Sequence, residues 1–84
     1  MDIQFIPHAL ERMEERGISK EMVKETILNP DSVSEGYSGR KVAQKRLNGK
    51  MIRVIYEETH GGVIVVITAY ITSKLRKYEG GEKL

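Results

Sequence analysis

Three side chains suited to phosphate chemistry lie at helical spacing near the start of the chain. His8, Arg12 and Arg16 are each separated by four positions, so a helix would bring His8, Arg12 and either Glu15 or Arg16 to one face. A histidine exchanges a proton near neutral pH, and an arginine binds phosphate through two hydrogen bonds. The pattern indicates proton transfer beside a bound phosphate.

A second group of such side chains lies in the later, strand-rich half of the chain. If successive residues of each strand alternate between the two faces of the sheet without interruption, Arg53, Thr68 and Tyr70 share one face of two neighbouring strands. This set suits phosphodiester chemistry without a metal, because arginine stabilises charge on the phosphate while another group moves the proton of an RNA 2′-hydroxyl. Alternatively, Tyr70 would stack on an unpaired base.

Both groups also have a purely structural interpretation. His8 would pack against the start of its helix, and the two helix arginines would pair with nearby glutamates. Arg53 would form an ion pair with Glu35 or Glu57, and the two hydroxyl-bearing residues would be ordinary exposed strand residues. His60 lies in a glycine-rich turn and is expected to be a surface residue.

The helices that position the first group have clear boundaries. Pro7 suits the first helical position because its missing N–H would have no partner there, and Gly17 suits the left-handed position after the end, so a helix is predicted over residues 7–16. Ser19 is a good N-cap for a second helix over residues 20–29, which Pro30 ends. Residues 2–5 would form a short strand or a loose arm. The buried stripe of the second helix is predicted at Met22, Val23, Thr26 and Ile27, with Leu28 at its edge.

After Pro30 the period of the apolar residues changes from helical to alternating, which predicts strands. Asn48-Gly49 predicts a tight hairpin, because both central residues of such a turn need positive φ. We predict strands over residues 33–37, 40–47, 50–58 and 63–72, with an edge strand or a basic tail over 73–78. The predicted fold is α+β, with two N-terminal helices packed on one face of an antiparallel sheet of about four strands and the other face open.

Alternation also predicts which strand residues face the helices. In the third predicted strand these are Ile52, Val54 and Tyr56; in the fourth they are Val63, Val65, Ile67, Ala69 and Ile71, so that Ile64 and Val66 point outward. The second strand leaves two alternatives, because a shift of one residue exchanges its faces. Either Lys41, Ala43, Lys45 and Leu47 or Arg40, Val42, Gln44 and Arg46 would face the helices.

Length and composition indicate one domain over residues 1–84, with an ordered core over about residues 3–78. There is no cysteine and there are two isolated histidines, so we expect no disulfide, no metal and no cofactor. No apolar run approaches about 18 residues, and the first residues lack a basic segment. We therefore expect a cytoplasmic protein without a membrane-bound state.

The charge is unevenly distributed along the chain. Residues 1–36 carry four Lys/Arg against eight Asp/Glu, a net charge of −4, whereas residues 37–84 carry ten against four, a net charge of +6. The basic half would attract a polyanion, with Lys45 and Arg46 contacting its backbone. Alternatively, the acidic helices neutralise the basic strands within the molecule.

The order of several short motifs resembles the domain of unknown function 4258 family over about residues 3–78. These motifs are Phe5-x-x-His8-Ala9-x-x-Arg12-Met13-x-x-Arg16-Gly17-Ile18, Asn29-Pro30-Asp31, Lys45-Arg46, Arg53-Val54 and Thr68-Ala69-Tyr70. In its order of helices and strands, that family is similar to RelE-type toxins and to the barnase, colicin and RelE-like ribonucleases. The resemblance implies metal-free RNA cleavage on the open face of an antiparallel sheet.

By position, the resemblance points to His8, Arg12 and Arg16 from the helix and to Arg53, Thr68 and Tyr70 from the strands. Several RelE-type proteins instead use basic residues near the C-terminus. Here that set would be Lys74, Arg76, Lys77 and Tyr78, and the choice between the two sets stays open.

We therefore expect a small RNA-directed domain, in its specific form a prokaryotic toxin-type, metal-independent endoribonuclease. The expected catalytic residues are His8, Arg53, Thr68 and Tyr70, and the expected nucleic-acid-binding residues are Arg12, Arg16, Lys45 and Arg46. RNA or the ribosome, and a cognate antitoxin or a second copy of the chain, are the expected partners. The alternative is a non-catalytic nucleic-acid-binding or protein-interaction module that uses the open sheet face, with Ile55, Ile64 and Val66 exposed on it.

Overall fold

The computed structural model describes residues 2–78, without the side chains of residues 77 and 78. Within residues 2–78, three helices and five strands follow one another, with short 3-10 turns at Tyr37–Gly39 and His60–Gly62. The elements are β1 (Asp2–Phe5), α1 (Pro7–Arg16), α2 (Lys20–Leu28), β2 (Ser32–Glu35), β3 (Lys41–Leu47), β4 (Lys50–Glu58), β5 (Val63–Thr72) and α3 (Leu75–Tyr78).

The strands form one mixed sheet in the order β1-β5-β4-β3-β2. The antiparallel part, β2 to β5, matches the predicted four strands in outline, but β1 adds a fifth strand that runs parallel to β5, with Asp2 opposite Val63 and Phe5 opposite Val66. The sequence left this segment open as a strand or an arm. Its pairing depends on a partner far along the chain, so local alternation over four residues cannot predict it.

Both predicted helices form with the predicted signals. Gly17 follows α1 in the left-handed conformation (φ 69°), and Ser19 caps α2 by accepting a 3.1 Å hydrogen bond from the backbone N–H of Met22. α1 packs mainly on β5, and α2 packs on β3 and β4. The core between the helices and the sheet is formed by Ala9, Met13, Ile18, Val23, Ile27, Ala43, Ile52, Val54, Tyr56, Ile64, Val66 and Ala69.

The predicted facing of β5 is wrong in its first half. Ile64 and Val66 are buried in the core rather than exposed, whereas Ala69 faces the core as expected. The cause is a β-bulge: Ile55 pairs with Thr68, but the next residue of β4, Tyr56, pairs with Val66, so Ile67 is an extra residue. One extra residue reverses the phase of alternation on one side of the bulge. The apolar patch predicted from Ile64 and Val66 does not exist.

The structure resolves the alternative for β3. Ala43 belongs to the core between helices and sheet, so Lys41, Lys45 and Leu47 share its side and Val42, Gln44 and Arg46 point to the opposite side. The Asn48-Gly49 turn has the two expected positive φ angles, 44° and 81°. The segment after β5 forms the short helix α3 instead of an edge strand.

The sheet side opposite α1 and α2, here called the second face, is only partly open. Val42, Gln44 and Met51 on that face are 7%, 5% and 2% exposed. Long side chains lying along a sheet cover smaller neighbours in this way. Access to the second face is therefore restricted to particular places, and the prediction of an open face needs this correction.

Candidate functional site

A row of four polar side chains, here called the polar row, crosses the second face at right angles to the strands. Ser32 pairs with Gln44, Gln44 with Arg53, and Arg53 with Tyr70, one residue from each strand from β2 to β5. Gln44 Nε2 donates a 2.9 Å hydrogen bond to Ser32 Oγ, and Arg53 Nη1 donates one of the same length to Tyr70 Oη. The register of the sheet therefore aligns an arginine and a phenol.

The guanidinium of Arg53 is held by Tyr70 in two ways. Besides the hydrogen bond to the phenol oxygen, its central carbon lies 5.7 Å from the centroid of the Tyr70 ring. Both residues are partly buried, and a cation near an aromatic ring is stabilised most where water is limited. Such a fixed guanidinium can bind a phosphate, and a phenol that accepts from arginine can donate its own O–H.

An open cleft of about 390 Å³ gives access to Arg53, one member of this pair. Its lining is formed by Glu35, Gly36, Tyr37, Val42 and Arg53. Glu35 lies opposite Lys41 in the register, so the lining also contains a carboxylate. The residues of this cleft that suit an anionic or an aromatic ligand are Arg53 and Tyr37.

Tyr37 was not among the predicted site residues. The alternating pattern predicts it at the end of a strand, whereas it begins the 3-10 turn between β2 and β3 and is 94% exposed. The glycines at positions 36 and 39 were the signal that could have identified a projecting turn here.

Thr68 and Arg16 meet at the edge of the sheet. β1 pairs only with Val63 to Val66, so the rest of β5 lies beyond the end of β1. Arg16 reaches this edge from α1, where its Nη1 donates to the carbonyl oxygen of Ala69 at 2.9 Å and lies 3.4 Å from Thr68 Oγ1. Of the three predicted site residues on the helix, Arg16 is the one that approaches a predicted strand residue, Thr68.

His8 and Arg12 lie on the helix side of the sheet, away from the polar row. Their helix packs through Ala9 into the same core as Val54, and Arg53, the neighbour of Val54 in β4, points to the opposite side. His8 Nδ1 is 4.0 Å from Glu11, and Arg12 forms a 3.0 Å ion pair with Glu15. The sheet therefore separates His8 and Arg12 from the polar row, although these residues were predicted to act in one site.

Lys45 and Arg46 also point to opposite sides of the sheet. Lys45 Nζ donates a 2.7 Å hydrogen bond to the carbonyl oxygen of Asn29 and lies 3.9 Å from Glu25, which ties β3 to α2. Arg46 is exposed on the side of the polar row, and its backbone N–H donates to the Asp31 carboxylate. Of these two predicted binding residues, only Arg46 has its side chain on the second face.

Exposed cations gather at one end of the sheet, where β3 ends, β4 begins and β5 ends. Here called the cationic end, this group consists of Arg46, Lys50, Lys74 and Arg76. The other predicted C-terminal residues, Lys77 and Tyr78, have side chains outside the described part of the chain. The cationic end adjoins the polar row, because Arg46 lies two residues from Gln44 along β3.

Charges at the opposite end of the sheet are paired. Arg40 lies 3.0 Å from Glu57 and Lys41 lies 2.8 Å from Glu58. The hydrogen bond to Glu58 and its charge raise the pKa of Lys41 above the ordinary value. Burial, followed by the charge of Glu58, raises the pKa of the nearby Tyr56. These groups stabilise one end of the sheet and leave the opposite end as the more cationic.

Among residues 2–78, no three or more histidine, cysteine, aspartate or glutamate side chains come together as metal ligands. Within the same residues, each helix is too short or too polar to cross a membrane.

The chain was compared with protein families, curated proteins and solved structures. The model of a family described as a domain of unknown function (DUF4258) matches residues 5–71. No curated protein and no solved structure matches the chain. The matched region contains the whole polar row and the cleft, whereas Lys74 and Arg76 of the cationic end lie beyond it.

Proposed function

The chain belongs to the DUF4258 family, and we propose that this protein is an RNA-directed domain that binds an RNA strand along its second face. The observation that carries the proposal is the Arg53–Tyr70 pair, which lies between the cationic end and an accessible cleft. Arginine is the side chain best suited to hold a phosphate, and phenols take part both in base stacking and in proton transfer.

The distribution of charge supports a polyanionic ligand at this face. Arg46, Lys50 and the two cations after β5 are exposed at one end, while the acids of β4 are paired with cations at the other. Val42 in the cleft and Arg46 are four residues apart on β3, about 13 Å at the rise of a strand. A short segment of RNA could therefore contact the cleft and the cationic end at once.

In its specific form, we propose that the domain is a toxin-type, metal-independent endoribonuclease. Arg53 would hold the scissile phosphate and stabilise the charge that develops on it. The 2′-oxygen would attack phosphorus while the bond to the 5′-oxygen breaks, giving a 2′,3′-cyclic phosphate and a 5′-hydroxyl end. The proton lost by the 2′-hydroxyl balances the one gained by the leaving oxygen, and Tyr70 is the group proposed to move it.

The wider setting is also part of the proposal. The similarity to RelE-type toxins is based on the order of two helices followed by antiparallel strands, and that order alone does not establish a function. On this hypothesis the protein acts in the prokaryotic cytoplasm on free RNA or on the ribosome. A cognate antitoxin or a second copy of the chain would control it.

A protein-interaction module is the alternative, and a different surface supports it. An apolar groove of about 270 Å³ lies between α2 and the strands β3 and β4, lined by Glu21, Met22, Glu25, Thr26, Lys45, Leu47 and Ile52. Leu28 and Val33 are also exposed, at 52% and 47%. Apolar side chains left exposed next to a groove are typical of contact surfaces. A partner docked there would leave the polar row unused.

A cleavage assay in EDTA tests the catalytic proposal. The wild-type protein and the Arg53→Lys variant would be incubated with a mixed RNA and with ribosomes, and the product ends would be identified. We expect cleavage by the wild type with cyclic or 3′-phosphate ends, and a loss of at least about tenfold in the variant, because lysine keeps the charge but cannot reproduce the planar fork of arginine.

The variant Lys24→Arg, on the exposed surface of α2, is the control for an exchange between lysine and arginine away from the second face. Equal cleavage by wild type and Arg53→Lys would contradict the assignment of Arg53. RNA binding without cleavage of either substrate would support the alternative that the domain binds RNA but is not an enzyme.

A further inference from the structure

The turn between β2 and β3 holds an aromatic ring almost entirely in solvent. Tyr37 is 94% exposed, the highest value among the exposed large apolar side chains of the described residues. Single exposed apolar residues are common on protein surfaces and need no function. Tyr37 differs because it lines the same cleft as Arg53.

The backbone that carries this ring is fixed. The Gly36 N–H donates to the carbonyl oxygen of Arg40 at 2.7 Å, and the Arg40 N–H donates to the carbonyl oxygen of Tyr37 at 3.0 Å. Arg40 is itself anchored on β4 by its ion pair with Glu57. An aromatic side chain on a constrained turn loses little backbone entropy when it binds a ligand.

The turn also contains a backbone conformation that is uncommon for its residue. Ser38 has φ 58° and ψ 37°, the left-handed region that a residue with a side chain adopts at a cost of about 1–2 kcal/mol. Gly39 follows with φ 77°. The chain therefore keeps a strained residue directly after Tyr37, and such residues persist where the surrounding structure fixes them.

We propose that Tyr37 is the residue on which an unpaired nucleobase stacks, so that the site selects single-stranded over double-stranded RNA. This inference rests on the proposed function. A base in a duplex is stacked on both faces by its neighbours, whereas an unpaired base can place one face on an exposed aromatic ring. Arg53, in the same cleft, binds the adjacent phosphate, and phosphate contacts alone do not distinguish the two forms.

Arg53 and Tyr37 are expected to contribute to RNA binding in different ways. Guanidinium–phosphate contacts are available on any RNA backbone and supply affinity without regard to pairing. Stacking on tyrosine tolerates any base, because every base has a π face. The site is therefore expected to be specific for the unpaired state of the RNA rather than for a sequence.

The test compares two probes with four proteins. The probes are a fluorescein-labelled single strand of mixed sequence with 2′-O-methyl groups, which prevent attack by the 2′-oxygen, and the same labelled strand annealed to a complement modified in the same way. Binding is measured by fluorescence anisotropy in EDTA. The proteins are the wild type, Tyr37→Ala, Tyr37→Phe and Arg53→Gln. Circular dichroism and thermal unfolding confirm that each variant is folded.

We expect the wild type to bind the single strand more tightly than the duplex. Tyr37→Ala should weaken single-strand binding by about 5- to 150-fold, the range for loss of one stacked base, and leave duplex binding unchanged. Tyr37→Phe keeps the ring and should bind both probes like the wild type. Arg53→Gln should weaken binding to both probes.

The outcomes separate this inference from the proposed function. If the wild type binds RNA but Tyr37→Ala keeps the wild-type preference for the single strand, the role of Tyr37 is wrong and the RNA-directed function stands. If Tyr37→Phe binds as poorly as Tyr37→Ala, the hydroxyl acts rather than the ring, which also contradicts stacking. If the wild type binds neither probe, both proposals fail.

Discussion

Arg16 on α1 donates a 2.9 Å hydrogen bond to the carbonyl oxygen of Ala69 on β5, fifty-three positions further along the chain. The carbonyl belongs to the part of β5 that continues beyond the end of β1, where no strand among residues 2–78 covers the edge opposite β4. Exposed backbone groups at a sheet edge can pair with other chains, and a charged side chain at such an edge reduces this risk. Arg16 thus closes the sheet edge that β1 leaves uncovered.

Arg16→Ala is therefore expected to lower the free energy of unfolding by about 1 kcal/mol, the typical value of a partly exposed hydrogen bond from a charged group. Urea unfolding measures it. Arg12→Ala is the matched control, because it removes an exposed ion pair on the same helix and should change stability by less than about 0.5 kcal/mol. Similar losses in the two variants would contradict a special role for the Ala69 contact.

The separation of His8 from the polar row predicts unequal effects on RNA cleavage. Tyr70→Phe removes the hydroxyl that Arg53 contacts and should lower the cleavage rate by about 100-fold or more, the usual effect of losing a group that transfers a proton. His8→Ala, on the other side of the sheet, should cleave at the wild-type rate. A single-turnover rate in EDTA distinguishes them, and the reverse order of effects would move the site to α1.

The cationic end predicts a dependence of RNA affinity on salt. Each cation that contacts a phosphate contributes about one unit to the slope of log K against log salt, so Lys50→Gln and Arg76→Gln should each lower the slope by about that amount. Titrations at several salt concentrations measure the slope. Lys24→Gln on α2 should leave it unchanged, and a uniform response of the three variants would mean that binding follows net charge alone.

The charge pairs at the opposite end predict a loss of stability in alkali. The pKa of Tyr56 is raised above 10.0, mainly by burial, and that of Lys41 above 10.5, mainly by its hydrogen bond to Glu58. The folded state therefore holds both protons more tightly than the unfolded state. This contribution to stability is complete below the unfolded pKa values and is lost as the pH rises through the folded ones.

Urea unfolding at about pH 8 and about pH 11 should show this decrease, and Tyr56→Phe should make it smaller because phenylalanine does not titrate. An equal decrease in wild type and Tyr56→Phe would assign the alkaline loss to other groups.

The β-bulge makes a prediction about two adjacent valines. Val66 is completely buried, whereas Val65 is only half-buried. Val66→Thr places a hydroxyl in the core at almost constant volume and should cost about 1–3 kcal/mol, while Val65→Thr should cost clearly less. Thermal unfolding measures both. Uninterrupted alternation along β5 would give the opposite order, so this pair of variants tests the bulge directly.

Local signals in the sequence were sufficient for much of the fold. The cap at Ser19, the Asn48-Gly49 turn and the long β-branched run each act over a few residues, and the corresponding elements formed within one or two residues of their predicted bounds. Arg53 and Tyr70 were predicted to share a face, and their cross-strand pairing confirms that geometry. Their role in RNA cleavage stays a prediction.

What the sequence could not provide was long-range pairing. The parallel contact of β1 and the extra residue at Ile67 depend on how distant segments align, and neither changes the local pattern of apolar residues. The predicted union of His8 and Arg12 with Arg53 failed for a different reason. Helical spacing groups residues along one face of α1, but the alternation in β4 had already predicted Arg53 on the side of the sheet opposite the helices, so the two predictions were in conflict.

The parallel pairing of β1 with β5 also has a consequence for how the protein acquires its structure. During synthesis, Asp2 emerges well before its partner Val63. The hairpin of β3 and β4 can form from neighbouring residues, whereas β1 has to wait until β5 has left the ribosome. Because closing so large a loop is slow, docking of β1 is expected to be a late step of folding.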